Sequence, residues 1–140
     1  MRGLAMRMSA IGLAAMGSAA IVVPAAPAEG QRSSLAMLDQ IESGRWEIRL
    51  RDATRRTYPV CVGNGRQLIQ LRHEALACDR VIVDDRPDEV TVQYTCRGRG
   101  YGRTSIRRET NRLLQIETQG IAEGLPFEFA AEARRTGSCS

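Results

Sequence analysis

The chain has 140 residues, a formal net charge of +4 and an aromatic content of 4%. All twenty of its basic residues are arginine, and the missing lysine excludes a G-K-[ST] phosphate loop, a Ser-Lys dyad and Schiff-base chemistry. A single histidine, His73, excludes H-E-x-x-H and any two-histidine metal site.

Residues 1–28 carry the three zones of an export signal. Arg2 and Arg7 form a positive start. Met8 to Ala28 holds no charge, and Ile11, Leu13, Met16, Ile21, Val22 and Val23 make it apolar. Pro24 ends any helix there, since it lacks an N–H and clashes with the preceding turn. Ala26-Pro27-Ala28 has the small-x-small pattern of a cleavage site, with Glu29 as the mature start. An uncleaved anchor is the competing reading, because about 20 apolar residues span a bilayer. The alanines, glycines and paired prolines of the stretch weigh for cleavage. A lipoprotein is not expected, because the first cysteine is Cys61.

The expected mature chain, residues 29–140, is long enough for one domain and shows no linker or repeat. Twenty arginines less Arg2 and Arg7 leave eighteen against sixteen acidic residues, a mild excess that does not argue for nucleic acid. In chain order, Ser33 or Ser34 is placed to cap a helix over residues 35–42. Leu35, Leu38 and Ile41 share its face, and Gly44 stops it. Trp46, Ile48 and Leu50 then alternate with Arg45, Glu47, Arg49 and Arg51, the period of a half-buried strand. A second strand is expected over 57–62, a turn at Asn64-Gly65 and a helix over 66–77 with Leu68, Ile69, Leu71 and Leu76. Strands over 78–83 and 89–96 flank a turn at Asp84–Asp88. A glycine-rich loop follows, then strands over 103–110 and 112–118 joined at Asn111, and a last strand over 126–135. This is a β-rich α+β pattern. It predicts a curved antiparallel sheet, a meander wrapping one or two short helices or nearly closing into a barrel.

Four cysteines, Cys61, Cys78, Cys96 and Cys139, lie in the mature portion. An even count in an exported chain predicts two disulfides. A zinc site would bring ligands in close pairs, which this spacing lacks. If the turn centres near Pro87, Val92 pairs with Ile82 and Cys78 falls opposite Cys96, close enough to bridge. Cys61 then joins Cys139. A one-residue slip would pair Val92 with Val81 and turn Cys78 to the other face.

Gly44-Arg45-Trp46-Glu47-Ile48 after a short helix resembles the G-x-W-E-V opening of a family of small exported bacterial proteins. That family is described only as a domain of unknown function (family 3617). Pro59-Val60-Cys61-Val62, the hairpin flanked by Cys78 and Cys96, and Arg135-Thr136-Gly137-Ser138-Cys139 match its further features. Ser43 departs from the usual proline. The resemblance spans nearly all of the mature chain. It implies a periplasmic or secreted β-rich domain, with no activity and no catalytic residues to carry over.

Few chemistries remain. No G-x-S-x-G elbow accompanies His73, which is expected on a surface or packed. Four oxidised cysteines leave no thiolate nucleophile. Gly98-Arg99-Gly100-Tyr101-Gly102 resembles part of a dinucleotide fingerprint but lacks the helix that would face phosphate, so a flexible connection is expected. Asp84, Asp85, Asp88 and Glu89 lack the spacing of a calcium loop and read as a solvated turn. Arg97, Arg99, Arg103, Arg107, Arg108 and Arg112 are a candidate anion-binding face for lipid headgroups, an anionic polymer or an acidic protein. The plainer reading is a charged edge that discourages aggregation. No catalytic, metal or cofactor residues are assigned.

The expected function is a non-enzymatic binding or structural domain of the envelope for a small ligand or an anionic surface. Trp46, Ile48, Val90, Val92, Tyr94, Phe127 and Phe129 would be its inner residues. A small periplasmic enzyme using carboxylates and arginine is the alternative. Expression of the full chain in a bacterium should yield a periplasmic product whose N-terminal sequence begins at Glu29. A membrane-bound product still carrying residues 1–28 would overturn the cleavage reading.

Overall fold

The computed structural model describes residues 34–140. The export signal, the start at Glu29 and the Ser33 cap lie outside the described residues. Seven strands build one antiparallel sheet: β1 (Gly44–Leu50), β2 (Thr57–Val62), β3 (Asp79–Asp85), β4 (Glu89–Cys96), β5 (Gly100–Thr110), β6 (Leu113–Ala122) and β7 (Leu125–Gly137). Their order is β2-β1-β7-β6-β5-β4-β3, so the ends β2 and β3 do not meet and no barrel closes. A short helix α1 (Ala36–Asp39) and a 3₁₀ helix (Gly65–His73) accompany the sheet.

Alternation puts one set of side chains inward. Trp46 and Ile48, Val90 and Val92, Tyr94, Ile106, Leu114, Ile116, Ala131 and Ala133 are buried with Leu68 and Ile69 of the 3₁₀ helix and Leu38 of α1. The intervening residues face outward and are mostly charged or polar. Trp46 satisfies its indole by donating Nε1–H to the carbonyl of Glu42 at 3.0 Å.

Both helices differ from expectation. Ser34 does not cap α1 with its side chain. The residue before the helix is Leu35, in the left-handed region at φ 53°. The backbone N–H groups of Ser34 and Leu35 donate instead to Asp85 Oδ2, at 2.8 and 3.1 Å. The distant Asp85 carboxylate thus anchors the two residues ahead of the helix, and the helix is one turn rather than the eight residues expected. The second helix is 3₁₀ and not α. Gly65, Leu68 and Leu71 are buried at a three-residue repeat, which a 3₁₀ helix stacks on one side. Asn64-Gly65 is its start and not a plain turn. Asn64 Oδ1 accepts from Arg66 N–H at 2.8 Å, and Gln67 Oε1 accepts from Asn64 N–H at 3.2 Å. Buried Gln70 breaks the repeat at φ −123° and uses its amide to hold the carbonyls of His73 and Leu76, at 3.0 and 2.8 Å.

The strands run longer than their sequence signals. β5 starts at Gly100, so the glycine-rich segment is a turn at Gly98-Arg99 followed by strand from Gly100. β6 and β7 continue to a two-residue turn in which Glu123 and Gly124 have φ of 52° and 81°, the twist suited to a hairpin. Residues 119–125, left unassigned by pattern, therefore belong mostly to strands.

The β3–β4 register is the one that pairs Ile82 with Val92. A bulge between Ile82 and Asp84 then shifts the rest of the hairpin, so Asp85 lies opposite Val90. Cys78 and Cys96 form a disulfide with a Cα–Cα distance of 4.3 Å, and Cys61 joins Cys139 at 5.8 Å. Cys61 and Cys139 clasp the C-terminal end across β1, whose Arg45 lies between Cys61 and Gly137 in the ladders.

The sequence separations are 78 for Cys61–Cys139 and 18 for Cys78–Cys96. Loop-closure entropy assigns them about 4.5 and about 3 kcal/mol. The variant Cys61→Ser/Cys139→Ser should lose more Tm than Cys78→Ser/Cys96→Ser in thermal denaturation. The reverse order would show that strain or unfolded-state structure outweighs loop length.

Candidate functional site

The covered face is not covered everywhere. β1 pairs with β7 only from Leu50 opposite Ala131 onward, whereas β6 pairs with β7 along residues 125–134. Past Leu50 the chain turns away through residues 52–56 and returns as β2. Asp52 drives this turn by accepting from the backbone N–H groups of Thr54 and Arg55, at 2.9 and 3.1 Å. The Thr54 hydroxyl and these donors together hold the Asp52 carboxyl below its usual range.

Where β1 departs, a groove of about 940 Å³ opens. Its accessible lining is mostly polar, from Asp52, Arg56, Arg72, Glu74 and Glu128, and Leu50, Tyr58, Val60, Leu71, Phe127 and Phe129 form the smaller apolar part. Tyr58, Phe127 and Phe129 are half-buried. The volume falls within the range of small-molecule sites. Arg56 and Arg72 make no ion pair among the described residues. Burial and the nearby Glu74 carboxylate push the Tyr58 phenol up, with Arg56 partly opposing them.

Of the inner residues expected to meet a ligand, Trp46, Ile48, Val90, Val92 and Tyr94 are fully buried core. Only Phe127 and Phe129 reach the groove. The pattern marks Leu50 and Leu71 as inward-facing and does not mark Tyr58; none of the three reads as a groove residue, because they meet from three separate segments. One local signal was present: a proline inside a strand pattern marks an edge, and Pro126 sits there.

His73 is packed, at 4% exposure. Its Nε2 lies 3.3 Å from the Arg99 carbonyl, which can only accept, so Nε2–H donates to it. Nδ1 lies 3.0 Å from the Tyr94 hydroxyl. The ring also meets Phe127 edge-on, with centroids 5.9 Å apart. The glycine segment serves the same cluster. A Cβ at Gly102 would lie 2.5 Å from the Tyr94 ring, and one at Gly100 would strike the Ile121 carbonyl. Gly102 leaves room for the Tyr94 ring and Gly100 for the Ile121 carbonyl and His73, a packing role and not a phosphate cradle.

The six candidate arginines do not share a face. Arg97 and Arg99 sit at the β4–β5 turn and pair with Asp79 and Glu123, at 3.7 and 2.8 Å. Arg103 and Arg107 lie on the outer face, where Arg107 pairs with Glu109 at 3.2 Å. Arg108 points to the other side and donates to the carbonyl of Pro87 at 2.9 Å and to Asn111 Oδ1 at 3.0 Å. Arg112 is at the β5–β6 turn, 3.6 Å from Glu42. Arg103 alone of the six makes neither an ion pair nor a side-chain hydrogen bond among the described residues.

Arg103 borders an outer-face hollow of about 400 Å³ with Ser105, Glu117, Gln119 and Glu128. Both carboxylates are exposed to solvent there. Of the turn acids, Asp84 and Glu89 pair with Arg86, at 2.8 and 3.1 Å, and Asp85 holds the start of α1. No group of three or more potential metal ligands occurs among the described residues. All four cysteines are in disulfides. No family model, curated protein or solved structure compared with the chain matches it.

Burial also raises the Tyr94 phenol, as it does Tyr58. A raised phenol favours the folded state below its ordinary pKa, and the benefit is lost as pH rises through the folded value. Spectrophotometric titration of the native protein should show phenols ionising above the ordinary range. Tyr58→Phe and Tyr94→Phe should each remove part of that late absorbance. Denaturant should bring it back to the ordinary range, and a native titration already complete there would contradict the burial.

Proposed function

We propose that the protein is exported by residues 1–28 and works in the bacterial cell envelope as a non-enzymatic domain that binds a small ligand in the groove. The observation that carries this reading is the apolar floor of Leu71, Phe127 and Phe129, left open where β1 departs from β7. Aromatic side chains held half-exposed in a concave wall give a ligand contact area that a filled core would not. Two disulfides form and persist in an oxidising compartment, in keeping with export. No helix among the described residues is long and apolar enough to cross a membrane.

The sequence features G-R-W-E-I, four ordered cysteines and the R-T-G-S-C ending support membership of the exported family of unknown function. The anionic-surface reading has less support. Four of its six arginines already hold acidic partners, and the six point to different parts of the sheet.

The test uses N-phenyl-1-naphthylamine, a neutral apolar dye that brightens on leaving water. The purified protein should bind it saturably at one site. Phe127→Ser should weaken binding about tenfold, consistent with losing about 1.5 kcal/mol of apolar contact. Absence of saturable binding, or binding indifferent to that change, would remove the groove as a ligand seat.

A further inference from the structure

The groove is also the place where a strand edge is left open. In β7 the even-numbered residues direct their backbone groups toward β1, since Ala130 accepts from Arg51 N–H at 2.8 Å. The β6–β7 ladder continues without a register shift to Ala122 opposite Leu125. Glu128 therefore also points its N–H and C=O toward the β1 side, where β1 has already turned away. Neither group has a backbone or side-chain partner there among the described residues. Pro126 adds a free carbonyl and, having no N–H, leaves no donor stranded at that end.

The sheet's outer edges differ from this one. β2 carries Pro59 and the Cys61 clasp. β3 is broken by its bulge and bears Asp79, Asp84 and Asp85. Both devices discourage strand addition. The open stretch at Pro126–Glu128 carries one proline and one carboxylate, has no bulge, and faces the groove that holds Phe127 and Phe129. Leu125 beside it is 71% exposed.

We infer that the groove takes an extended polypeptide segment, which adds as a short strand to β7 at Glu128 and sets alternate apolar side chains on Tyr58, Leu71, Phe127 and Phe129. This rests on the reading of the groove as a binding site and assigns its ligand class. An added strand directs alternate side chains to one face, so every second residue meets the floor. The rim has both signs, with Arg56 and Arg72 beside Glu74 and Glu128. That suits a polar backbone flanked by mixed charges better than an amphiphile with one charged head.

The probe is a fluorescein-labelled seven-residue peptide alternating threonine and leucine, with two analogues N-methylated at either the leucines or the threonines. Amides of alternate residues point to opposite edges of a strand, so only one analogue blocks pairing with β7. Fluorescence anisotropy with the full exported protein should show the parent binding, one analogue weakened more than tenfold and the other within threefold. Glu128→Pro, which removes the edge N–H, should weaken the parent at least fivefold, and by clearly more than Glu128→Ala, which keeps that N–H and loses only a rim charge. Equal binding of all three peptides, or Glu128→Pro binding like the unaltered protein, would overturn strand addition. Dye binding without peptide binding would overturn it too, yet would leave the groove as a small-molecule site. Loss of both would remove the site itself.

Discussion

The structure depends on a short 3₁₀ helix being pinned to the middle of a much larger sheet. Thr104 Oγ1 donates to the Ile69 carbonyl at 2.6 Å, and the Thr118 hydroxyl, 2.7 Å away, donates in turn to Thr104. All three groups are buried, where an unpaired polar atom is costly. The chain of hydrogen bonds therefore sets where Leu68 and Ile69 can press on β4, β5 and β6. No buried side-chain polar atom among the described residues lacks a partner. The core closes only with the helix in that position.

The groove follows from the helix's length. The 3₁₀ segment is broken at Gln70, so its longest straight run, residues 65–69, rises only about 10 Å at about 2 Å per residue. A thirteen-residue strand such as β7 spans about 43 Å at about 3.3 Å per residue. One helix and one turn of α1 cannot roof a face of that size. Burial is complete around Trp46 and Tyr94 and gives out at Phe127 and Phe129, which are apolar and half-covered. The same shortage of cover explains the two disulfides. A domain with so little helical cover gains from staples that act on the unfolded chain rather than on the core.

The arginines are the chain's most conspicuous compositional feature, and folding disperses them. A run along the sequence becomes a face only if the residues lie at one period on one element. Here the run crosses a turn, a strand, a second turn and both faces of β5. Opposite charges brought from elsewhere, Asp79, Glu123 and Glu42, then neutralise most of what the run seemed to offer. The groove arises in the opposite way, from Leu50, Tyr58, Leu71, Phe127 and Phe129, none of which forms a motif.

Sequence alone determined the features that depend on nearest neighbours. Alternation at Trp46, Ile48 and Leu50 and at Val90, Val92 and Tyr94 specified strands and their inner face. A hairpin centred on Pro87 made the Cys78–Cys96 pair one of two registers, and the structure chose it. These are short-range because a strand's period and a hairpin's register are set within a few residues. Tertiary structure alone decided whether Ser34 or Asp85 would satisfy the start of α1, and whether residues 66–77 would wind as an α-helix. It also decided that Gly100 and Gly102 would be strand, with Gly102 against Tyr94, and that β1 would leave β7 at Leu50. Each is a competition between a local partner and a distant one, and a sequence does not show which distant group arrives.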